Sequence, residues 1–89
     1  APAPASVRFD DTASSNATFL EVRAPDKIGI LRGITKAIAD TGLDIRHARI
    51  QTLGNEIIDS FYVQTASGEL VTDTFHRQEV ERAILHAVQ

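Results

Sequence analysis

Cysteine, methionine and tryptophan are all absent from the 89 residues, and tyrosine occurs once. Without cysteine there is no disulfide framework and no thiolate zinc site, a composition suited to a reducing cytoplasm. The lack of methionine, position 1 included, points to a chain cut from something longer. No apolar run approaches the length of a membrane span, and no basic-then-apolar leader opens the chain. A basic excess is missing too. Nine Lys and Arg face twelve Asp and Glu, a formal charge of −3, which argues against a dedicated nucleic-acid binder and gives no reason to expect a membrane partner. Catalytic signatures are likewise lacking. There is no Gly-x-Ser-x-Gly, phosphate loop or dinucleotide fingerprint, and Gly29, Gly33 and Gly42 do not form a phosphate cradle. His47, His76 and His86 have no metal-ligand spacing and read as surface residues, and Asp10-Asp11 reads as a solvated turn rather than a metal pair. No cofactor or metal is implied.

The composition that remains, 43% hydrophobic and 24% charged, is that of one ordinary globular domain. Ala1 to Ala5 alternates alanine with proline and reads as a linker, leaving residues 6–89 as the domain. Ser6 to Asp10 alternates as a short strand. Thr18 to Arg23 is a second, with Leu20 and Val22 on one side and Phe19, Glu21 and Arg23 on the other. Pro25 breaks it, and Asp26 is placed to cap a helix from Lys27 to Thr41. That helix would bury Ile30, Leu31, Ile34, Ala37 and Ile38 and stop at Gly42. Leu43 to Leu53 is a third strand whose alternation slips near Arg46-His47, a bulge signal. Gly54-Asn55 is a hairpin turn into a fourth strand, Glu56 to Thr65. Thr74 to Val88 closes the chain as a helix burying Phe75, Val80, Ala83, Ile84 and Val88.

The order β-β-α-β-β-α predicts a two-layer α+β sandwich, with a four-stranded antiparallel sheet and two helices on one face. In the ferredoxin-like order a strand after the second helix lies beside the first strand. Here nothing follows that helix, and a hairpin delivering Ser6–Asp10 to the same edge gives a permuted ferredoxin-like sheet. Asp59 alternates in phase with Ile57, Phe61 and Val63. Either that face is not the core face, or Asp59 is buried and hydrogen-bonded.

Thr18-Phe19-Leu20-Glu21-Val22 running into Asp26-Lys27-Ile28-Gly29-Ile30-Leu31 resembles the first strand, loop and helix start of the ACT domain family. Thr41-Gly42-Leu43-Asp44-Ile45 and Asp59-Ser60-Phe61-Tyr62-Val63 resemble its next two strands. With Val7-Arg8-Phe9-Asp10 and Ile50-Gln51-Thr52-Leu53-Gly54, the chain is similar to the C-terminal ACT modules of bacterial PII-protein uridylyltransferase/uridylyl-removing enzymes. The loop departs from the family pattern Asp-Arg-Pro-Gly. Lys27 keeps the charge, and Ile28 gives up proline's rigidity.

A helix N-terminus with a glycine is a seat for a carboxylate, because unpaired amides and the helix dipole favour an anion there. Read so, an amino acid would meet the amides of Gly29, Ile30 and Leu31 within the segment from Asp26 through Lys27 and Ile28, and its other end would reach Asp44-Ile45. The plainer reading makes Asp26 a cap and Gly29 a packing residue. The resemblance implies a regulatory module sensing an amino acid, glutamine in particular, within a cytoplasmic nucleotidyltransferase. Its partners would be another ACT domain, the catalytic domains of the parent chain and, indirectly, PII protein. The alternative is a module that only pairs with another ACT domain. Two helices cover one sheet face, so Phe19, Ile58 or Tyr62 on the other would be exposed and drive self-association.

Overall fold

Glu56 to Thr65 forms the longest strand, and the rest of the sheet is arranged around it. The computed structural model describes residues 4–89. In chain order the elements are β1 (Ser6–Asp10), β2 (Thr18–Pro25), α1 (Ile30–Asp40), β3 (Leu43–Arg49), β4 (Thr52–Leu53), β5 (Glu56–Thr65) and α2 (Thr74–Ala87). The sheet order is β1-β2-β5-β3, with β4 also on β5, and every pairing is antiparallel. The first strand therefore sits at the edge beside β2, where the sequence argument placed it. This is an α+β, ferredoxin-like fold. Residues 1–3 of the expected linker lie outside the described residues, and Ala5 packs against the rim of the core.

Period-two alternation divides the two central strands. Leu20, Val22, Ile57, Phe61 and Val63 turn inward and are buried. Ile30, Ile34 and Ile38 of α1 and Val80 and Ile84 of α2 close over them. Val71, in the segment leading to α2, is also fully buried, and its amide donates to the Thr18 hydroxyl at 2.8 Å.

Several expectations are corrected. The first helix starts at Ile30 rather than Lys27, because Gly29 has φ +80°, outside helical space. Asp26 is not its cap. Its amide instead donates to the Asn55 carbonyl at 2.7 Å, extending the contact between β2 and β5. With the later start Leu31 falls in the first turn and stays exposed. Phe75 is also exposed, at 72%. At 100° per residue it stands about 140° round α2 from Val80. His76 takes the inward position, its Nε2 lying 2.8 Å from the Thr41 carbonyl at the end of α1.

The sheet has five strands rather than four, because the third expected strand is broken. The register shifts between Ile45 and His47, which is the bulge its slipped alternation signalled. Past Arg49 pairing lapses over Ile50-Gln51 and resumes as β4. Asp59 accounts for the gap. It is 1% exposed, on the core side, and its carboxylate accepts the Gln51 amide at 3.2 Å. Gln51's carbonyl in turn accepts from Ile58 at 3.0 Å. Of the two readings of Asp59, the structure selects the buried and hydrogen-bonded one.

Candidate ligand-binding site

The loop between β2 and α1 is built by two backbone ties. Ile30 donates to the Lys27 carbonyl (3.2 Å), making a turn through Ile28-Gly29, and Gly33 donates to the Gly29 carbonyl (3.0 Å). Gly29 is the N-cap, in the left-handed region and without a side chain, so no side chain caps the helix start. A Cβ built on Gly29 would meet nothing within 4 Å, so its surroundings are open. Asp26, Lys27 and Ile28 are exposed, Ile28 completely, and Ile30 is buried under the loop. Lys27 Nζ donates to the Gln89 carbonyl, tying the loop to the residues just past α2.

Buried Asp59 of β5 lies within electrostatic reach of Asp26 in this loop. Burial pushes its carboxyl pKa up. The Gln51 amide opposes that, and the negative charge of Asp26 adds to it. The sequence left the neighbourhood of Asp26 and Asp59 unseen, since only the pairing of β2 with β5 brings them together.

Asp44 and Ile45 do not join the loop. Asp44 pairs with Gln64 while Pro25 pairs with Glu56, eight residues away along β5 and about 26 Å at the strand rise. Within one chain the expected site is therefore in two halves, at opposite ends of the sheet.

The uncovered sheet face carries a second feature, a cavity of about 660 Å³ crossing β2, β5 and β3. Phe19 and Tyr62 are register partners on its floor, in edge-to-face contact with centroids 5.3 Å apart. His47 stands beside Tyr62 at 5.7 Å, and Arg46 and Arg49 complete the β3 side. Gln64 donates to the Asn16 carbonyl (2.7 Å), fixing the β1–β2 loop as the opposite wall. Phe19 and Tyr62 in this cavity, and Ile58 elsewhere on the same face, are half-buried rather than exposed, which corrects the expectation that they project bare from the sheet. Read along the chain, Arg46, His47 and Arg49 form a basic cluster without aromatic neighbours in sequence. The aromatics come from other strands, and the hairpin and sheet registers were the signal that could have found them. Among the described residues no cluster of His, Cys, Asp or Glu could hold a metal ion, and no helix is long and apolar enough to cross a membrane.

Comparison with known proteins agrees with this architecture. The chain is 38% identical over 84 residues to the bifunctional uridylyltransferase/uridylyl-removing enzyme of Caulobacter vibrioides. It is 35% identical over 82 residues to the enzyme of the same name from Phenylobacterium zucineum. These alignments cover 94% and 92% of the chain but only 9% of each relative. A crystal structure of an unknown protein from Galdieria sulphuraria superposes with a TM-score of 0.59 at 15% identity, over 89% of this chain and 39% of that one, a likeness of fold alone. The family model of the ACT domain matches residues 18–84, the span running from the first residue of β2 into α2. On that match and those identities, the chain belongs to the ACT domain family.

Proposed function

We propose that this ACT domain is the amino-acid-sensing module of a cytoplasmic uridylyltransferase/uridylyl-removing enzyme acting on PII protein, with glutamine as its effector. ACT is a regulatory domain, and such domains bind small amino acids and pair with one another. The observation that carries the reading is Gly29, a left-handed, side-chain-free start to α1 in open surroundings. The glutamine carboxylate sits at the amides of Gly29, Ile30 and Leu31, where the helix dipole favours an anion. Asp26, Lys27 and Ile28 form the rim.

The separation of Asp44-Ile45 from the loop gives the reading its second part. The ligand's far end is met by Asp44-Ile45 of a second ACT domain, in the same parent chain or in another copy, so binding and pairing are coupled. Exposed Ile28 and Leu31 beside the loop supply apolar surface for that contact. The domain itself transfers no nucleotidyl group, and incubation with PII protein and a nucleoside triphosphate leaves PII unmodified.

Calorimetry with a panel of amino acids, followed by sedimentation with and without the best binder, tests the proposal. Glutamine should bind and increase association. Absence of heat with every amino acid overturns the sensing role and leaves a pairing module. Binding by a strictly monomeric domain overturns the shared site while leaving the loop.

A further inference from the structure

The cavity on the uncovered sheet face lies away from the α1 loop, and its chemistry is different. A regular strand sends alternate residues to opposite faces. The bulge after Ile45 breaks that rule, so Arg46, His47 and Arg49 all line one cavity. The charges of this sheet face are distributed unevenly. On the β1–β2 half, Arg8 lies 3.4 Å from Asp10 and 3.5 Å from Glu21, and Arg23 lies 3.4 Å from Glu21. Arg46, His47 and Arg49 form no ion pair with a carboxylate among the described residues. Asp44, at the Gln64 end of β3, is the one acidic residue of that strand. In a chain of net charge −3, this is a local excess of positive charge. It borders an aromatic floor of Phe19 and Tyr62, in a cavity of the size small ligands occupy.

We propose that this face binds a free mononucleotide. Its base lies against Tyr62 and Phe19, and its phosphate is held by Arg46 and Arg49 with His47 beside them. Aromatic rings accept any base face, and guanidinium groups match phosphate oxygens in bidentate geometry. The Asn16 carboxamide oxygen already accepts from Ser14 at 2.9 Å, which leaves the amide NH₂ to donate to a base edge. A mononucleotide is favoured over a nucleic-acid strand because this cluster of positive charge spans one cavity rather than a whole face, while the chain as a whole, at −3, repels a polyanion.

Tyr62 is the only tyrosine and there is no tryptophan, so tyrosine fluorescence reports on this cavity alone. UMP and AMP should each quench it saturably, less strongly as salt rises. Uridine and inorganic phosphate, each carrying half of the recognised chemistry, should bind at least about tenfold more weakly than the nucleotide. Arg46→Ala with Arg49→Ala should weaken the nucleotide by about tenfold or more, with circular dichroism confirming the fold. Arg32→Ala, removing a positive charge from α1 instead, should change nothing. By calorimetry Tyr62→Phe should retain binding and Tyr62→Ala should lose most of it. No saturable quenching at millimolar nucleotide, or equal loss with Arg32→Ala, overturns the proposal. Tighter binding of a short oligo-dT than of the mononucleotide overturns the free-nucleotide assignment and makes a strand the occupant.

Discussion

The two faces of the sheet are made by the same strands and follow different rules. On the covered face, the inward residues of β2 from Thr18 to Ala24 and of β5 from Ile57 to Val63 are all buried, and all are apolar except Thr18 and Asp59. Both exceptions accept a backbone amide, from Val71 and from Gln51 respectively. On the uncovered face, an aromatic pair and five basic side chains share the surface with Glu21 and Asp10. The first face is a matter of local periodicity. The second exists only through register, because its neighbours are far apart in sequence and meet across β2, β5 and β3. Burial makes the first face intolerant of change, and exposure leaves the second free to carry recognition.

Adjacent residues on β5 give the sharpest test. Phe61 is fully buried and Tyr62, the next residue, lies on the other face. Phe61→Ala should cost about 3–5 kcal/mol, through lost transfer energy and a cavity the core cannot fill. Tyr62→Ala gives up a half-buried ring and its edge-to-face contact with Phe19, worth about 0.5–1.5 kcal/mol beyond the area covered. Urea denaturation of both variants measures the difference. Comparable losses would mean that the uncovered face is as much a part of the core as the covered one.

Thr18 and Val71 give the next largest effect. Thr18→Val keeps the shape but leaves the buried Val71 amide without its acceptor, an expected loss of about 1–3 kcal/mol. Thr18→Ser retains the hydroxyl and should recover most of it. If the valine variant is as stable as the serine one, water has taken the place of the lost oxygen.

Two glycines near the start of α1 separate backbone strain from space. Gly29→Ala forces a side chain into the left-handed region and should cost about 1–2 kcal/mol. Had Gly29 stood inside the helix, as the sequence placed it, the same change would be neutral or stabilising. Gly33 is that case. It is helical, and an added Cβ would lie 3.5 Å from the Ala87 carbonyl oxygen, ordinary contact. Gly33→Ala should therefore gain up to about 1 kcal/mol from helix propensity. Gly29→Asn, which tolerates positive φ better, should recover stability relative to alanine while still crowding the loop. It thereby distinguishes loss of fold from loss of the proposed glutamine binding.

These residues also show what was legible in the sequence. The stripe of Ile30, Ile34 and Ile38 and the alternation of Leu20 and Val22 are periodic signals, so most of the elements and most of the core could be read directly, and the edge position of β1 followed from its hairpin with β2. The bulge showed as a slip in alternation. The helix start was misplaced because Asp followed by glycine three residues later fits a capped helix as well as a turn, and sequence does not reveal the sign of a glycine's φ. Asp26 looked like a cap because the competing Asn55 carbonyl belongs to a distant hairpin. The loop residues of the candidate site are proposed from resemblance and from the helix-start argument. Their distance from Asp44-Ile45 became visible only with the order of the strands.

Asp59 gives the smallest effect and tests the covered face from within. Burial disfavours its charged form, the Gln51 amide partly offsets that, and the Asp26 charge adds to the penalty, so its native pKa lies above the usual carboxylate value. A carboxylate raised in this way holds its proton more tightly in the native state than in the unfolded one. Below the unfolded value there is no penalty. As pH rises through the window up to the native value stability is lost, and above it the full penalty remains. Asp10 and Asp11 run the opposite way. Thr12 hydrogen bonds hold the first low and Arg77 holds the second low, so each costs stability as pH falls through its lowered value. Comparing variants cancels these contributions. The stability of Asp59→Asn relative to the parent should increase as pH rises from the acid range and then level off towards neutral. Asp26→Asn, which removes only the neighbouring charge, should show the same trend at smaller amplitude. Chemical denaturation at a series of pH values reads both curves. A flat difference for Asp59→Asn would mean that the carboxylate is already compensated, and that the gap between β3 and β4 is held by an ordinary hydrogen bond rather than by a strained buried acid.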